Sequence, residues 1–183
     1  NKEYYKYEYR YDNENTHVIV VIDHNILLSP EKNEFNDCST TFLAMSKMSE
    51  YMIKLCDKYK IIGCVVHQQE SNNENVNNIK ADNLQPTLSK VGMNKIITQD
   101  YHVVFGLFAP YFYKLTNVAN YKDYNIKEMF KNKFRELSIL KHRDGELGVN
   151  IPLYFEGKMN YFEELPLPHE KEKLKEIYKK LKE

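Results

Sequence analysis

Asp23 ends the apolar run HVIVVID (17–23), so its carboxylate lies at the end of a predicted strand. A buried strand of a parallel sheet fixes such a group at the carboxyl edge of the sheet, where ligands bind in open α/β folds. There it can hold Mg²⁺, usually through water, beside nucleotide phosphates. A carboxylate that caps a helix or binds a ribose gives the same pattern, so Asp23 alone leaves the chemistry open.

Gln68 ends a second apolar run, GCVVHQQ (63–69). A neutral amide at that place can contact both a γ-phosphate and the loop that follows, and can therefore sense hydrolysis. A polar strand end without a ligand is the alternative. We expect the adjacent His67 to be a structural side chain and not a base.

Lys141 and Arg143 lie two residues apart in ILKHRDGELG (139–148) and share one side of a predicted strand. The strand runs into the turn Asp144-Gly145. Two cations at a hairpin tip suit contact with phosphate oxygens from outside. A solvated hairpin is the alternative for this motif taken alone.

The elements that position these groups follow from the hydrophobic pattern. The runs 17–23, 60–68 and 101–108 predict strands buried on both faces, which favours a parallel sheet. Residues 39–59 predict a helix that Ser39 or Thr40 caps. A strand, a helix and a strand in this order indicate a βαβ unit.

The last part of the chain predicts a different arrangement. Strands over 134–143, 149–155 and 160–164 are separated by turn signals, which indicates an antiparallel meander. A short helix is expected over 126–132, and a charged helix with a narrow apolar stripe over 169–183.

Composition excludes several classes of protein. The 183 residues contain 26 Lys plus Arg and 26 Asp plus Glu, which excludes a strongly basic nucleic-acid wrapper and an acidic tail protein. The apolar runs are too short for a transmembrane helix. The three cysteines are odd in number and form no C-x-x-C pair, so we expect reduced, mostly buried thiols and neither a disulfide framework nor a zinc site.

The motifs, in this order, resemble the C-terminal ATPase domain of DnaB-type replicative helicases, which are RecA-like hexameric motors of superfamily 4. ITQDYHVV (97–104) is similar to the family's I-E-Q-D-A-D-V-V, ILKHRDGELG to its A-K-N-R-N-G-P-T-G, and FEGKMNYFEE (155–164) to its closing hairpin. The resemblance runs from about His17 to Leu165, and bacteriophage members look most similar. It implies an α/β fold: the C-terminal part of a RecA-like P-loop NTPase core, with parallel strands and helices followed by an antiparallel meander.

The resemblance also implies roles for single residues. Asp23 takes the place of the Mg²⁺ ligand (Walker B), and Gln68 that of the γ-phosphate sensor. Lys141 and Arg143 match the finger residues that reach the ATP of the next subunit. The segment LSKVG (88–92) falls where the family has a loop that touches single-stranded DNA, which makes the following residues the expected DNA contacts: Ser89, Lys90 and Gly92.

Cofactors and partners follow from the same resemblance. It implies ATP and Mg²⁺ as cofactors, and single-stranded DNA and further copies of the chain, in a hexamer, as partners. A primase or a helicase loader is a further expected partner, and a membrane is not. The expected location is the cytoplasm of a bacterium or of a phage-infected cell.

The chain departs from the family at one essential motif. The phosphate-binding loop G-x-x-x-x-G-K-[ST] (Walker A) occurs nowhere in the 183 residues. We therefore expect no meaningful ATPase activity from this chain alone. The missing initiator Met and the abrupt Tyr-rich start favour a fragment of a longer helicase over a degenerate relative.

The expected organisation is a polar lead-in (1–16), the helicase-like domain (17–165) and a charged tail helix (166–183). Three alternatives stay open. They are a RecA-like recombinase-type ATPase, a catalytically dead module for oligomerisation or single-strand binding, and a generic α/β domain in which the strand-end Asp is incidental.

Overall fold

The computed structural model describes residues 16–23, 27–29, 32–33, 36–37, 40–69, 84–91, 95–113 and 122–180. The chain divides into two compact units, 1–68 and 69–183, called the N-terminal and the C-terminal unit below. The domain limits expected from the sequence stay predictions, and most of the lead-in lies outside the described residues. In the described ranges, no helix is long and apolar enough to cross a membrane.

The N-terminal unit contains the predicted βαβ arrangement. Strands β1 and β4 pair in parallel, with Ile19 opposite Ile62 and Ile22 opposite Val65. Two-residue strands β2 and β3 form a small antiparallel pair between β1 and the helix. The elements are β1 (Ile19–Ile22), β2 (Lys32–Asn33), β3 (Asn36–Asp37), α1 (Thr41–Tyr59) and β4 (Ile62–Val65).

Helix α1 begins and ends as its sequence predicts. The Thr40 hydroxyl accepts a hydrogen bond from the backbone N–H of Leu43 (3.2 Å), which satisfies one free donor of the first turn. Met45, Ser49 and Met52 recur at helical spacing and are buried. A Cβ atom at Gly63 of β4 would lie 2.7 Å from the Met52 sulfur, so a glycine there permits close helix–strand packing.

The C-terminal unit contains the predicted meander as a four-stranded antiparallel sheet in the order β5-β6-β7-β8. Its register shifts between Val104 and Phe105, which marks a bulge in the pairing of β5 with β6. The strands and the helix are β5 (Val103–Phe108), β6 (Phe134–His142), β7 (Asn150–Glu156), β8 (Tyr161–Glu164) and α2 (Lys171–Lys180). Helical turns lie at Leu88–Lys90, Lys95–Gln99, Pro110–Tyr113, Ile126–Phe130 and Lys131–Lys133.

A hydrophobic core joins the sheet of the C-terminal unit to its helical segments. Leu174 of α2 is buried in this core, so the docking of the tail helix on the body is confirmed. The Tyr124 hydroxyl donates to the Pro166 carbonyl oxygen (2.9 Å). Burial, together with the nearby Glu170 and Glu164 carboxylates, raises the pKa of Tyr124 to about 12, which keeps this donor protonated. The buried members are Leu84, Phe108, Tyr124, Ile126, Phe130, Phe134, Tyr154, Leu165 and Leu174.

The expectation that the strands are buried on both faces is wrong. Val21 of β1 is 62% exposed and Phe105 of β5 is 57% exposed, whereas the residues that alternate with them are more buried. The prediction of mostly buried thiols fails at Cys64, which is exposed on β4, and Cys38 lies outside the described residues. A β-branched or aromatic run identifies a strand, but it does not show whether one face or both faces are covered.

Candidate functional site

Asp23 and Gln68 follow the two paired parallel strands of the N-terminal unit at the same edge. The Val66 N–H donates to the Ile22 carbonyl oxygen (2.9 Å), so the pairing extends to the last residue of β1. Continuing this register places Asp23 opposite Val66, two residues before Gln68. Both side chains are exposed. The structure therefore presents a carboxylate and an amide at one carboxyl edge, as the sequence predicts.

The Asp23 carboxylate fits one mode of Mg²⁺ binding. In the portion of the chain that the structure describes, no three His, Cys, Asp or Glu side chains are grouped so that they could hold a metal ion. Mg²⁺ does not need such a cage, because it keeps several waters and commonly binds one or two carboxylates plus substrate phosphates. An exposed Asp23 suits that mode, in which phosphates and water complete the shell.

His67 lies between these elements and the end of β4. Burial lowers the pKa of its imidazole, which favours the neutral ring. A partly buried, neutral ring agrees with the expectation of a structural histidine.

Lys141 and Arg143 meet a backbone turn of the C-terminal unit. The Lys141 ammonium donates to the carbonyl oxygens of Thr98 (2.8 Å) and Gln99 (2.7 Å). The Arg143 guanidinium donates to the same Gln99 oxygen at 3.4 Å, and its backbone N–H donates to the His102 carbonyl (2.9 Å). Both cations of the predicted finger thus converge on the turn Lys95–Gln99.

The chemistry of this contact is that of a helical C-terminus. Carbonyls in the last turn of a helical segment lack partners within it, and Lys or Arg side chains commonly satisfy them. Thr98 is buried, and Gln99 and Arg143 are exposed. The site therefore has an inner cation, Lys141, and an outer one, Arg143.

The expected DNA-contacting loop begins as the helical turn Leu88–Lys90. The Ser89 hydroxyl is exposed and lies 2.9 Å from the Thr87 hydroxyl. Lys90 is only 8% exposed, and its ammonium donates to the Gln85 carbonyl oxygen (2.9 Å). Burial lowers the pKa of this ammonium. Gly92, the third expected DNA contact, lies outside the described residues.

Sequence reasoning missed two residues that hold this loop in place. The Gln69 amide donates to the Leu84 carbonyl (3.4 Å), and the Gln69 backbone forms an isolated bridge with Val91. Gln69 directly follows the expected sensor, Gln68. A Cβ atom at Gly106 of β5 would lie 2.6 Å from the Pro86 Cβ, so this glycine permits the loop to approach the strand. The second Gln of GCVVHQQ was the available sequence signal for the first of these.

Comparisons with known proteins gave similarity in structure and none in sequence. No family model matches the chain, and no curated protein matches it. The chain is similar to a solved structure of the ATPase domain of a DnaB-like helicase, with a TM-score of 0.60 and 23% sequence identity. The chain has the fold of a RecA-like ATPase domain. The match covers 84% of this chain and 46% of that chain, so this chain spans about half the length of that structural neighbour.

The RecA-like fold confirms the predicted fold class. It contains both the parallel pair β1–β4 and the antiparallel sheet β5–β8 that the hydrophobic pattern predicts. In open α/β folds, ligands bind outside the carboxyl ends of the parallel strands. Asp23 and Gln68 occupy that position in the N-terminal unit. The roles of the individual site residues stay predictions.

Proposed function

We propose that this chain is part of the motor of an ATP-dependent replicative DNA helicase of the DnaB type. The observation that carries this proposal is the meeting of the two most family-specific motifs. Lys141 and Arg143, of the 139–148 motif, both contact the Gln99 carbonyl, of the 97–104 motif. Similarity of the fold to an ATPase domain supports the same proposal.

In this proposal, ATP is hydrolysed at the interfaces between subunits of a homo-oligomer, a hexamer in the proposed family. Asp23 helps to hold Mg²⁺, which supplies charge neutralisation at the phosphates. Gln68 contacts the γ-phosphate and transmits its loss to the following segment. The finger of Lys141 and Arg143 acts on the nucleotide of the neighbouring subunit, an effect that is worth ~10³-fold or more in related phosphoryl transfer.

Hydrolysis moves the loop that begins at Leu88–Lys90 along a single DNA strand, so that duplex ahead of the motor is unwound. Ser89, Lys90 and Gly92 are the proposed DNA contacts. Such contacts go mainly to phosphates and read little sequence. The overall charge of zero agrees with this, because only the DNA-facing loops need to be basic. A primase or a helicase loader is a further proposed partner, in the cytoplasm of a bacterium or a phage-infected cell.

The proposal assigns ATP hydrolysis to the full protein. The 183 residues carry no G-x-x-x-x-G-K-[ST] loop. In P-loop proteins the backbone N–H groups of that loop cradle the phosphates. The same observation favours one second candidate function, a catalytically dead RecA-like module for oligomerisation or single-strand binding.

The test uses the product of the complete coding sequence that contains these residues. We expect ATP hydrolysis that single-stranded DNA stimulates, together with unwinding of a forked duplex. Asp23→Asn should lower the hydrolysis rate about 100-fold or more, because it removes a Mg²⁺ ligand. Glu172→Gln, an exposed change on α2, is the matched control and should leave the rate unchanged.

Two other outcomes are informative. Binding of single-stranded DNA without any ATP hydrolysis would favour the dead module. A product that neither binds single-stranded DNA nor hydrolyses ATP would overturn both candidates.

A further inference from the structure

We infer that the two cations of the proposed finger do different work: Lys141 is a positioning residue, and Arg143 is the group that reaches the phosphate. This inference rests on the proposed function, since it concerns the same finger. It departs from the simple expectation that both side chains contact ATP.

The hydrogen bonds of Lys141 carry the first step. Its ammonium donates to two carbonyl oxygens, at 2.8 Å to Thr98 and 2.7 Å to Gln99. Thr98 is buried, and Lys141 itself is partly buried. An ammonium that leaves this place for a phosphate would leave carbonyl oxygens of the turn without these donors, which is costly for buried groups.

The contacts of Arg143 carry the second step. Its guanidinium is exposed and makes a single long hydrogen bond, 3.4 Å, to the Gln99 oxygen. Lys141 already donates to that oxygen, so release of Arg143 would not leave the oxygen without a donor. A guanidinium also offers a planar fork that matches phosphate oxygens, whereas an ammonium is a point charge.

The backbone carries the third step. The Arg143 N–H donates to the His102 carbonyl at 2.9 Å, which fixes the start of the Arg143 side chain beside β5. Lys141 holds the turn Lys95–Gln99 against the end of β6 from the other side. Lys141 thus sets the place from which Arg143 extends, and Arg143 keeps its donors available for an incoming anion.

The experiment compares three variants of the 183-residue chain: Lys141→Met, Lys141→Arg and Arg143→Met. Amine labelling followed by mass spectrometry should modify Lys141 about tenfold more slowly than Lys158, which is exposed in the β7–β8 turn. Lys141→Met should speed amide hydrogen exchange in 97–104 about tenfold, since charged hydrogen bonds are lost. Lys141→Arg should restore much of the protection, and Arg143→Met should leave it unchanged.

A second measurement follows the guanidinium N–H signals of Arg143 by NMR during titration with tripolyphosphate. We expect the Arg143 signals to shift and the Lys141 ammonium to stay protected from labelling to the same degree. Lys141→Met should weaken the response of Arg143, and Lys141→Arg should rescue it.

The outcomes separate this inference from the proposed function. Fast labelling of Lys141, or tripolyphosphate contact with Lys141 in place of Arg143, would overturn the division of roles and leave the helicase proposal standing. A slow Lys141 without any response of Arg143 to tripolyphosphate would overturn the phosphate-reaching role of Arg143 and count against the proposed function, while the anchoring role of Lys141 would stand.

Discussion

The Lys141 ammonium lies 2.7 Å from the carbonyl oxygen of Gln99, a residue 42 positions earlier in the chain. This contact joins the end of β6 to the turn before β5. Two motifs that are far apart in the sequence are therefore parts of one polar cluster, and a change in either should be detected in the other.

Gly106→Ala should displace the 84–91 loop. The new Cβ would lie 2.6 Å from the Pro86 Cβ and 3.0 Å from the Leu140 Cδ1, and a proline ring cannot rotate away. We expect the free energy of unfolding in urea to fall by about 1–3 kcal/mol, as for other overpacked sites. Amide hydrogen exchange of 84–91 should become faster.

Gly157→Ala is the matched control for this change. Its Cβ would meet the Phe155 ring at 3.4 Å, an ordinary contact, so the loss should stay below about 0.5 kcal/mol. Equal losses for both alanines would contradict the close approach of Pro86 to β5.

Glu156→Gln should change how stability depends on acid. Hydrogen bonds from Lys133 (2.5 Å) and the Tyr154 hydroxyl (3.0 Å), with a backbone bond from Lys158, lower the pKa of Glu156 from 4.5 to about 2. The folded state thus favours the charged carboxylate. Its contribution is fully present above pH 4.5 and is lost as the pH falls from 4.5 toward 2.

Urea unfolding of wild type and Glu156→Gln at a series of pH values measures this effect. The stability difference between them should be largest above about pH 5 and should shrink toward about pH 2. Glu172→Gln is the control, because Glu172 forms an ion pair with Lys175 in which its side chain is 84% exposed. Parallel curves for wild type and Glu156→Gln would argue against the Lys133–Glu156 contact in solution.

Lys90→Met should weaken binding of single-stranded DNA by the full protein. Under the proposed function, the Lys90 ammonium exchanges the Gln85 carbonyl for a phosphate, so the logarithmic salt dependence of affinity should fall by about 0.7. Fluorescence anisotropy at several salt concentrations gives this slope. Lys175→Met on α2 should not alter it. A slope that Lys90→Met leaves unchanged would mean that Lys90 stays on Gln85 in the complex.

Local elements of this fold could be predicted well from the sequence. Thr40 caps α1, and the runs before Asp23 and Gln68 form the parallel pair, because capping and β-branched runs act over a few residues. The meander also follows its turn residues. These features depend on neighbours in the chain, which a single sequence displays.

Two features could not be predicted, for different reasons. The exposure of Val21 and Phe105 depends on what covers each sheet face, which apolar character alone does not specify. The partners of Lys141 are backbone carbonyls, and every residue carries one, so no side-chain type marks them in the sequence. The pairing of cation motif and turn became visible only in three dimensions.

The two kinds of strand pairing also differ in the chain entropy that they cost. Each pair in the β6–β7–β8 hairpins links strands that are consecutive in the chain, so short loops are closed. The β1–β4 pair must close a loop that contains all of α1. Loop-closure cost rises by about 0.6 kcal/mol for each doubling of loop length. The parallel pair that carries Asp23 and Gln68 is therefore the more expensive one to form, and formation of α1 inside its loop lowers that cost.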